Sequence, residues 1–439
     1  MYPIISIPKQ GGNGMTLIQH EATVLDGIKL HTIQTDKYKT NTVVLQMKAP
    51  LKKDTVTKRA LLPYVLQSGT ENLPSTKQVR RKLEELYGAS LYVDLAKKGD
   101  FHVISIRMDI SNEKFLSEQS KILSDGLQLL SEILLNPKTE QGSFDSAIVQ
   151  KEKRTLKQRI QSIYDDKMRY SNMRLTKEMF PDEPFGLHIY GELDMVDSIT
   201  GKELYEYYQK AIQEDSIDLY LVGDLEKHNV SEIVKKTFSL GRRGTEEGAV
   251  TEKAALDVTE NEVIESQDIK QGKLHMGYRT GISYKDEQYY ALQVFNGIFG
   301  GFSHSKLFRN VREKESLAYY AASRYESHKG LLIVMSGIET KNYDKTVSII
   351  KEQLEAMRSG DFSEEEMGQT KTMINNQLLE TIDDAKGMVE LLYHEEIAGY
   401  SRPMEDWLDG IEKVTKEKVV DVAKQITLDT VYFLKGEEA

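Results

Sequence analysis

Nine histidines in a chain without cysteine are the first residues to test for chemistry, because imidazoles with carboxylate help suffice to hold zinc. They stand at His20, His31, His102, His188, His228, His275, His304, His328 and His394, and no two are three to five residues apart. A helical metal site needs ligands at such spacing, so a local metal motif is absent. His394-Glu395-Glu396 opens like H-E-x-x-H, but Ala398 stands at the second histidine position. A Walker loop, a dinucleotide fingerprint after a strand and G-x-S-x-G are missing too. The densest unusual segment is Gly300 to Tyr319, GGFSHSKLFRNVREKESLAY. Its spacing predicts a helix with Leu307 and Val311 on one face, ending near Arg312 and leading into a strand that contains Tyr319. A guanidinium and a phenol would then face one surface, both able to donate hydrogen bonds to peptide carbonyls. Taken in isolation, Arg312 reads as a solvated helix-end cation and Tyr319 as a half-buried strand residue. Gly300-Gly301 reads as a tight turn rather than an anion cradle.

The elements that must position these residues fall into two halves with the same order, which marks an internal duplication. In the first half the pattern predicts a strand at Thr42–Met47, helices at Thr55–Leu66 and Thr76–Tyr87, and strands at Ser90–Leu95 and His102–Ile110. The second half repeats this with helices at Lys285–Phe299 and His304–Glu313 and strands at Ala318–Arg324 and Gly330–Ile338. Long amphipathic helices follow in both, near Lys114–Leu135 and Asp145–Ser162, then Thr346–Met357 and Glu364–Ile382. Thr200 and Thr415 are expected N-caps of helices leading to the terminal strands Asp218–Gly223 and Thr430–Lys435. Ser75 with Gln78 has capping-box spacing, and Gly88 is the expected helix stop. Glycine-rich, charged Gly241–Ala249 reads as a linker, and acidic Lys253–Ile269 as the start of the second domain. The fold class is α+β, with domains at 1–240 and 253–439 joined by 241–252.

Composition bounds the function. The 439 residues include 58 Lys+Arg against 69 Asp+Glu, a net charge of −11 that argues against nucleic acid or an anionic membrane as the main partner. The absence of cysteine excludes disulfides, thiolate zinc sites and cysteine nucleophiles, and fits a reducing, cytoplasmic compartment. No apolar run approaches the roughly 18 residues needed to span a bilayer. The N-terminus lacks a basic region followed by a continuous apolar stretch, so no secretory signal is expected there, and Gln10–Gly14 reads as a flexible lead-in.

The run Gly300–Tyr319 resembles the C-terminal-domain signature of the pitrilysin/insulinase zinc peptidases, the family that includes mitochondrial processing peptidase. The resemblance spans roughly Thr42 to Leu434 and is greatest to a bacterial subgroup. It implies two homologous domains, each a mixed or antiparallel sheet flanked by helices, arranged as the halves of a clamshell. It also implies that Arg312 and Tyr319 grip the substrate backbone beside the scissile bond.

The family's zinc sits on an inverted motif, H-x-x-E-H, in a first-half helix, completed by a downstream glutamate. Counting back from Gly69-Thr70, which resembles the family's turn after the motif, the ligand positions fall on Ala60 and Tyr64 and the general-base position on Pro63. The downstream segment Gln150–Arg159 resembles the family's second helix, with Glu152 at its leading acidic position and Arg159 at the third ligand position. All four zinc and base positions are therefore replaced, and no catalytic residue and no cofactor is expected in this chain. The resemblance implies a noncatalytic subunit, inactive alone, that contributes Arg312 and Tyr319 to a heterodimer with a zinc-motif relative of the same family. The substrate would be a peptide and the zinc would belong to the partner. The alternatives are a structural scaffold without substrate and a peptide-binding, chaperone-like homodimer.

Overall fold

The computed structural model describes residues 5–8, 15–116, 121–241 and 253–437. The chain divides into two compact units, Met1–Gln161 with Leu187–Val250 and Ala385–Glu390, and Ser162–Gly186 with Thr251–Asp384 and Leu391–Ala439. Sequence order alone would leave 162–186 in the first half and 385–390 in the second. The expected lead-in at Gln10–Gly14, and the linker from residue 242 onward, lie outside the described residues.

The strands of the first unit are β1 (Ile5–Pro8), β2 (Met15–Leu25), β3 (Ile28–Gln34), β4 (Thr40–Pro50), β5 (Ser90–Lys98), β6 (Phe101–Ser111), the short pair β7 (Thr139–Glu140) and β8 (Ser143–Phe144), and β9 (Ser216–Gly223). Seven of them form one sheet in the order β1-β2-β3-β9-β4-β6-β5, antiparallel throughout except for the parallel pair β3 and β9. Helices α1 (Val56–Leu66), α2 (Thr76–Glu85), α3 (Ile122–Leu135), α4 (Ser146–Asp165), α5 (Lys167–Met179), α6 (Gly201–Glu214) and α7 (Val230–Thr237) complete the first part of the chain. Of these α5 belongs to the second unit.

The second unit holds β10 (Asn261–Gln267), β11 (Gly272–Arg279), β12 (Ala318–Glu326), β13 (Leu331–Ile338) and β14 (Thr427–Gly436), in the order β10-β14-β11-β13-β12. Here too one pair, β10 with β14, is parallel and the rest are antiparallel. This reproduces strand for strand the run β3-β9-β4-β6-β5, so the duplication read from the sequence is a duplication of sheet topology. Its helices are α8 (Tyr289–Asn296), α9 (Tyr343–Ser359), α10 (Glu364–Ile382), α11 (Ala385–Ala398), α12 (Met404–Glu412) and α13 (Lys416–Gln425). No helix among the described residues is long and apolar enough to cross a membrane.

Local chemistry explains where these elements start and how closely they pack. Thr200 and Thr415 cap α6 and α13 as expected, and both Thr200 with Glu203 and Ser363 with Glu366 close reciprocal capping boxes. Ser75 accepts from the Gln78 amide, while the Gln78 side chain meets the Ser75 hydroxyl instead of its backbone. Helix α5 lies against β11 at Gly277, where any Cβ would meet Met179 Sδ at 2.2 Å. Leu175, Met179 and Phe180 there join Leu331, Ile333, Tyr432 and Leu434 in one apolar cluster.

Three expectations need correction. The helix expected from Lys114 is a single 3-10 turn, Glu113–Phe115, followed by α3 from Ile122. Gly300-Gly301 is not a tight turn, because Gly297–Gly301 continues α8 as a π-helical stretch. The helix expected at His304–Glu313 is also π-helical over Phe308–Lys314, although Leu307 and Val311 are fully buried as the spacing required. Such wide turns recur at functional sites.

Candidate functional site

Helix α1 is buried at nearly every position, including Ala60, Pro63 and Tyr64. Its placement is fixed by Arg59, a 1% exposed guanidinium with four acceptors. Arg59 Nη1 donates to Asp215 Oδ2 at 2.6 Å and to the Tyr207 hydroxyl at 3.2 Å, Nη2 to the Met47 carbonyl at 2.7 Å, and Nε to the His102 carbonyl at 3.2 Å. Burial opposes this charge, but the Asp215 carboxylate and the Tyr207 hydroxyl together outweigh it and hold Arg59 above the ordinary arginine value. One residue on, Ala60 offers only a methyl group. Pro63 supplies no N–H to the Arg59 carbonyl and no carboxylate to any water.

Helix α4 runs alongside in the opposite direction. Glu152 accepts from Ser68 Oγ at 2.9 Å near the end of α1, and two turns later the Arg159 guanidinium lies 4.4 Å from the centre of the Tyr64 ring. The structure thus brings together two of the positions to which the resemblance assigns zinc ligands, and finds a cation stacked on an aromatic face. Burial pushes the Tyr64 phenol up to about 12, against the pull of Arg159, so it is a neutral hydroxyl near neutral pH. Zinc takes three protein donors from imidazole, carboxylate or thiolate in a catalytic site. A methyl, a neutral phenol and a guanidinium do not supply them, and the residues present do not fit the metal.

The other candidate pair stands in the second unit. Arg312 lies in the π-helical stretch Phe308–Lys314, exposed, with its guanidinium 4.6 Å from the Phe308 ring centre. The chain then reverses through Ser316, a non-glycine residue at φ +50°, and the Leu317 amide donates to the Val311 carbonyl at 3.1 Å. Buried Leu317 and Val311 hold this corner, and β12 begins at once as an edge strand of its sheet. Its register against β13 pairs Ala318 with Ile338 but Tyr320 with Gly337, so Tyr319 is the extra residue of a β-bulge. The bulge leaves Tyr319 79% exposed, a departure from the half-buried strand residue that its position suggests. Bulges re-aim single side chains, and they cluster beside active sites.

A family model described as the peptidase M16 inactive domain matches residues 198–374. The chain is similar to the probable inactive metalloprotease YmfF of Bacillus subtilis (strain 168), with 55% identity over 94% of this chain and 96% of that protein. The chain belongs to the pitrilysin-like M16 metallopeptidases. Among solved structures this inactive M16 homologue resembles a conserved protein from Enterococcus faecalis V583, at a TM-score of 0.89 and 35% identity over 95% of this chain and 99% of that one. It is also 22% identical, over 65% of its length and 69% of the relative's, to a Bacillus subtilis (strain 168) protein described as the uncharacterized zinc protease YmxG. Between α1 and α4, the residues at the family's zinc positions in this M16 homologue do not supply the donors a catalytic zinc takes.

Two histidine pairs that sequence spacing could not reveal meet through the fold. His20 Nε2 lies 3.0 Å from His31 Nδ1, and His31 Nε2 lies 3.3 Å from Asp218 Oδ1, all three buried on β2, β3 and β9. In the second unit His328 Nε2 lies 2.7 Å from His394 Nδ1, with the rings stacked at 4.9 Å. His20 and His31 stand eleven residues apart on paired strands, whereas 66 positions separate His328 from His394. The repeat of strand order would have placed β3 beside β9, and so His31 near Asp218, had the N-terminal strands been recognised.

Proposed function

We propose that this M16 homologue is the noncatalytic half of a two-chain peptidase in the cytoplasm, holding peptide backbone with Arg312 and Tyr319 while a relative that keeps the inverted motif supplies the zinc. The two homologous domains on this reading are 1–240 and 253–439, joined across 241–252. The observation that carries it is the bulge at Tyr319. A ring so exposed gains little from burial, and the bulge interrupts an otherwise regular ladder, so folding alone gives no reason for either. A phenol and a guanidinium held on one short corner can donate to successive peptide carbonyls. The replaced positions on α1 and α4 support the division of labour, because this chain can bind a peptide without cutting it.

The test is cleavage of a quenched peptide library by this chain alone, by a zinc-motif relative from the same cell alone, and by the equimolar mixture. Activity confined to the mixture is expected. Removing one hydrogen-bond donor from a developing oxyanion typically costs two to three decades in rate, so Tyr319→Phe should lower turnover of the mixture by about 100-fold or more. Arg312→Ala should do the same. A relative that is equally active alone, with nothing added by mixing, would leave a scaffold role in place of this one.

A further inference from the structure

The second unit contains an open cavity of about 250 Å³ that the Arg312 and Tyr319 corner does not explain. Its walls come from α8 and the π-helical stretch behind it, and from β12, α10, α11 and α12. Aromatic rings dominate: Tyr289 meets Tyr325 and Trp407 edge-on, with ring centres 5.8 Å apart in each case, and Tyr284 lies 6.0 Å from Trp407. Two N–H groups in this wall, Gln293 Nε2 and Trp407 Nε1, are buried without a hydrogen-bond acceptor among the described residues. Their side chains belong to residues only 6% and 8% exposed, and both residues line the cavity. Leaving a buried donor unpaired costs about 1–3 kcal/mol, so two on one small cavity call for an explanation.

Two of the cavity's other polar groups are already engaged. Asn296 Oδ1 accepts from Ser323 Oγ at 2.8 Å, and His394 Nδ1 shares a hydrogen bond with His328. Neither engaged group serves Gln293 Nε2 or Trp407 Nε1, so two buried donors of this wall still lack an acceptor among the described residues. Volume sets the size of what could supply one: an apolar cavity of about 150 Å³ holds benzene, and drug-sized ligands need about 300 Å³ or more. One aromatic ring with a short polar substituent fits between these limits. We propose that this cavity binds an aromatic ring bearing a carbonyl or carboxylate oxygen, the ring packing among Tyr284, Tyr289 and Trp407 and the oxygen accepting from Gln293 and Trp407. Such a group can belong to a free aromatic acid or to an aromatic residue of a peptide. The proposal stands apart from the role given to Arg312 and Tyr319.

Trp407 is the single tryptophan of the chain, so indole emission reports on this cavity alone. The full chain is titrated with phenylacetate, with N-acetylphenylalaninamide, with a tetrapeptide containing an internal phenylalanine, and with toluene as a ring without an acceptor. A saturable emission change is expected with at least one acceptor-bearing probe, and toluene should bind about tenfold more weakly or worse. Tightest binding by phenylacetate identifies a free acid, and tightest binding by the tetrapeptide identifies a peptide side chain. Gln293→Leu should weaken the acceptor-bearing probes about fivefold, as loss of one hydrogen bond requires, and leave toluene unchanged. No saturable change with any probe at millimolar concentration, or toluene binding as tightly as the rest, overturns the proposal. The toluene comparison uses the unaltered chain, so the test stands even where Gln293→Leu fails to fold.

Discussion

At the scale of single residues, the contrast between Arg59 and Arg159 shows what a buried guanidinium can do. Arg59 is matched by four acceptors and ties α1 to β4, β6 and the end of α6. Arg59→Ala would remove the guanidinium paired with Asp215, 4% exposed, and breaking a buried pair in this way costs about 3–5 kcal/mol. A urea titration should show that loss, with Arg59→Lys recovering only part of it because an ammonium cannot reach the same fan of acceptors. Arg159 instead lies over Tyr64, where the family's chemistry would need metal donors. Tyr64→His alone should therefore leave the chain without zinc in equilibrium dialysis, since the guanidinium stays. The triple change Ala60→His, Tyr64→His and Arg159→Glu supplies a two-histidine, one-carboxylate set and should bind about one zinc per chain. These replacements were legible without coordinates, because each position follows from counting along a motif. That Arg159 and Tyr64 pack together was not, because 95 residues separate them.

Elements were legible where a local signal marks them. Helices α6, α10 and α13 begin at a side chain that can cap them, and Thr200, Ser363 and Thr415 each accept from the third residue of the helix that follows. Thr200→Ala and Ser363→Ala should each cost about 1 kcal/mol, read as a lower urea midpoint with an unchanged slope. The hairpin of β2 and β3 escaped the reading although its signal is in the sequence: Asp26-Gly27, at φ +47° and +84°, makes the two-residue turn that joins strands whose flanking Leu25 and Ile28 pair. Strand β11 could have been placed by analogy, because it occupies in the second sheet the position that β4 holds in the first. The π-helical stretches had no such marker. Wide turns have no composition of their own, and at Gly300 a Cβ would come within 2.8 Å of the Ser323 backbone nitrogen, a constraint visible only once β12 is in place.

For the molecule as a whole, buried neutral histidines set the response to acid. Burial is the leading cause in each case: it lowers His188 to about 4 and His275 to about 3, and holds His102 well below its usual value, with nearby cations adding to the effect. The Tyr190 amide also donates to His188 Nδ1 at 3.2 Å, a bond that a proton on that nitrogen would break. An unfolded histidine takes its proton near pH 6.5, so below that pH the unfolded chain binds more protons than the folded one. Stability is then complete above about pH 6.5 and falls as pH drops toward 4 and 3, by up to about 1.4 kcal/mol per pH unit for each histidine in its window. The midpoint of thermal unfolding should fall steadily from pH 7 to pH 4, and His275→Leu should flatten that fall. A midpoint that does not move would contradict the neutral, buried state of these rings.

The extra residue in β12 also makes the proposed peptide contact separable from the sheet that carries it. Ala318 already faces Ile338 and Tyr320 already faces Gly337, so excising Tyr319 would join two neighbours that are in step and leave every later pair of the strand in phase. Elsewhere along β12 a one-residue deletion would invert the strand from that point on, turning its inward side chains to water. Tyr319 is a tooth on a wheel that turns without it, and its removal would part the proposed hold on a peptide from what holds the fold.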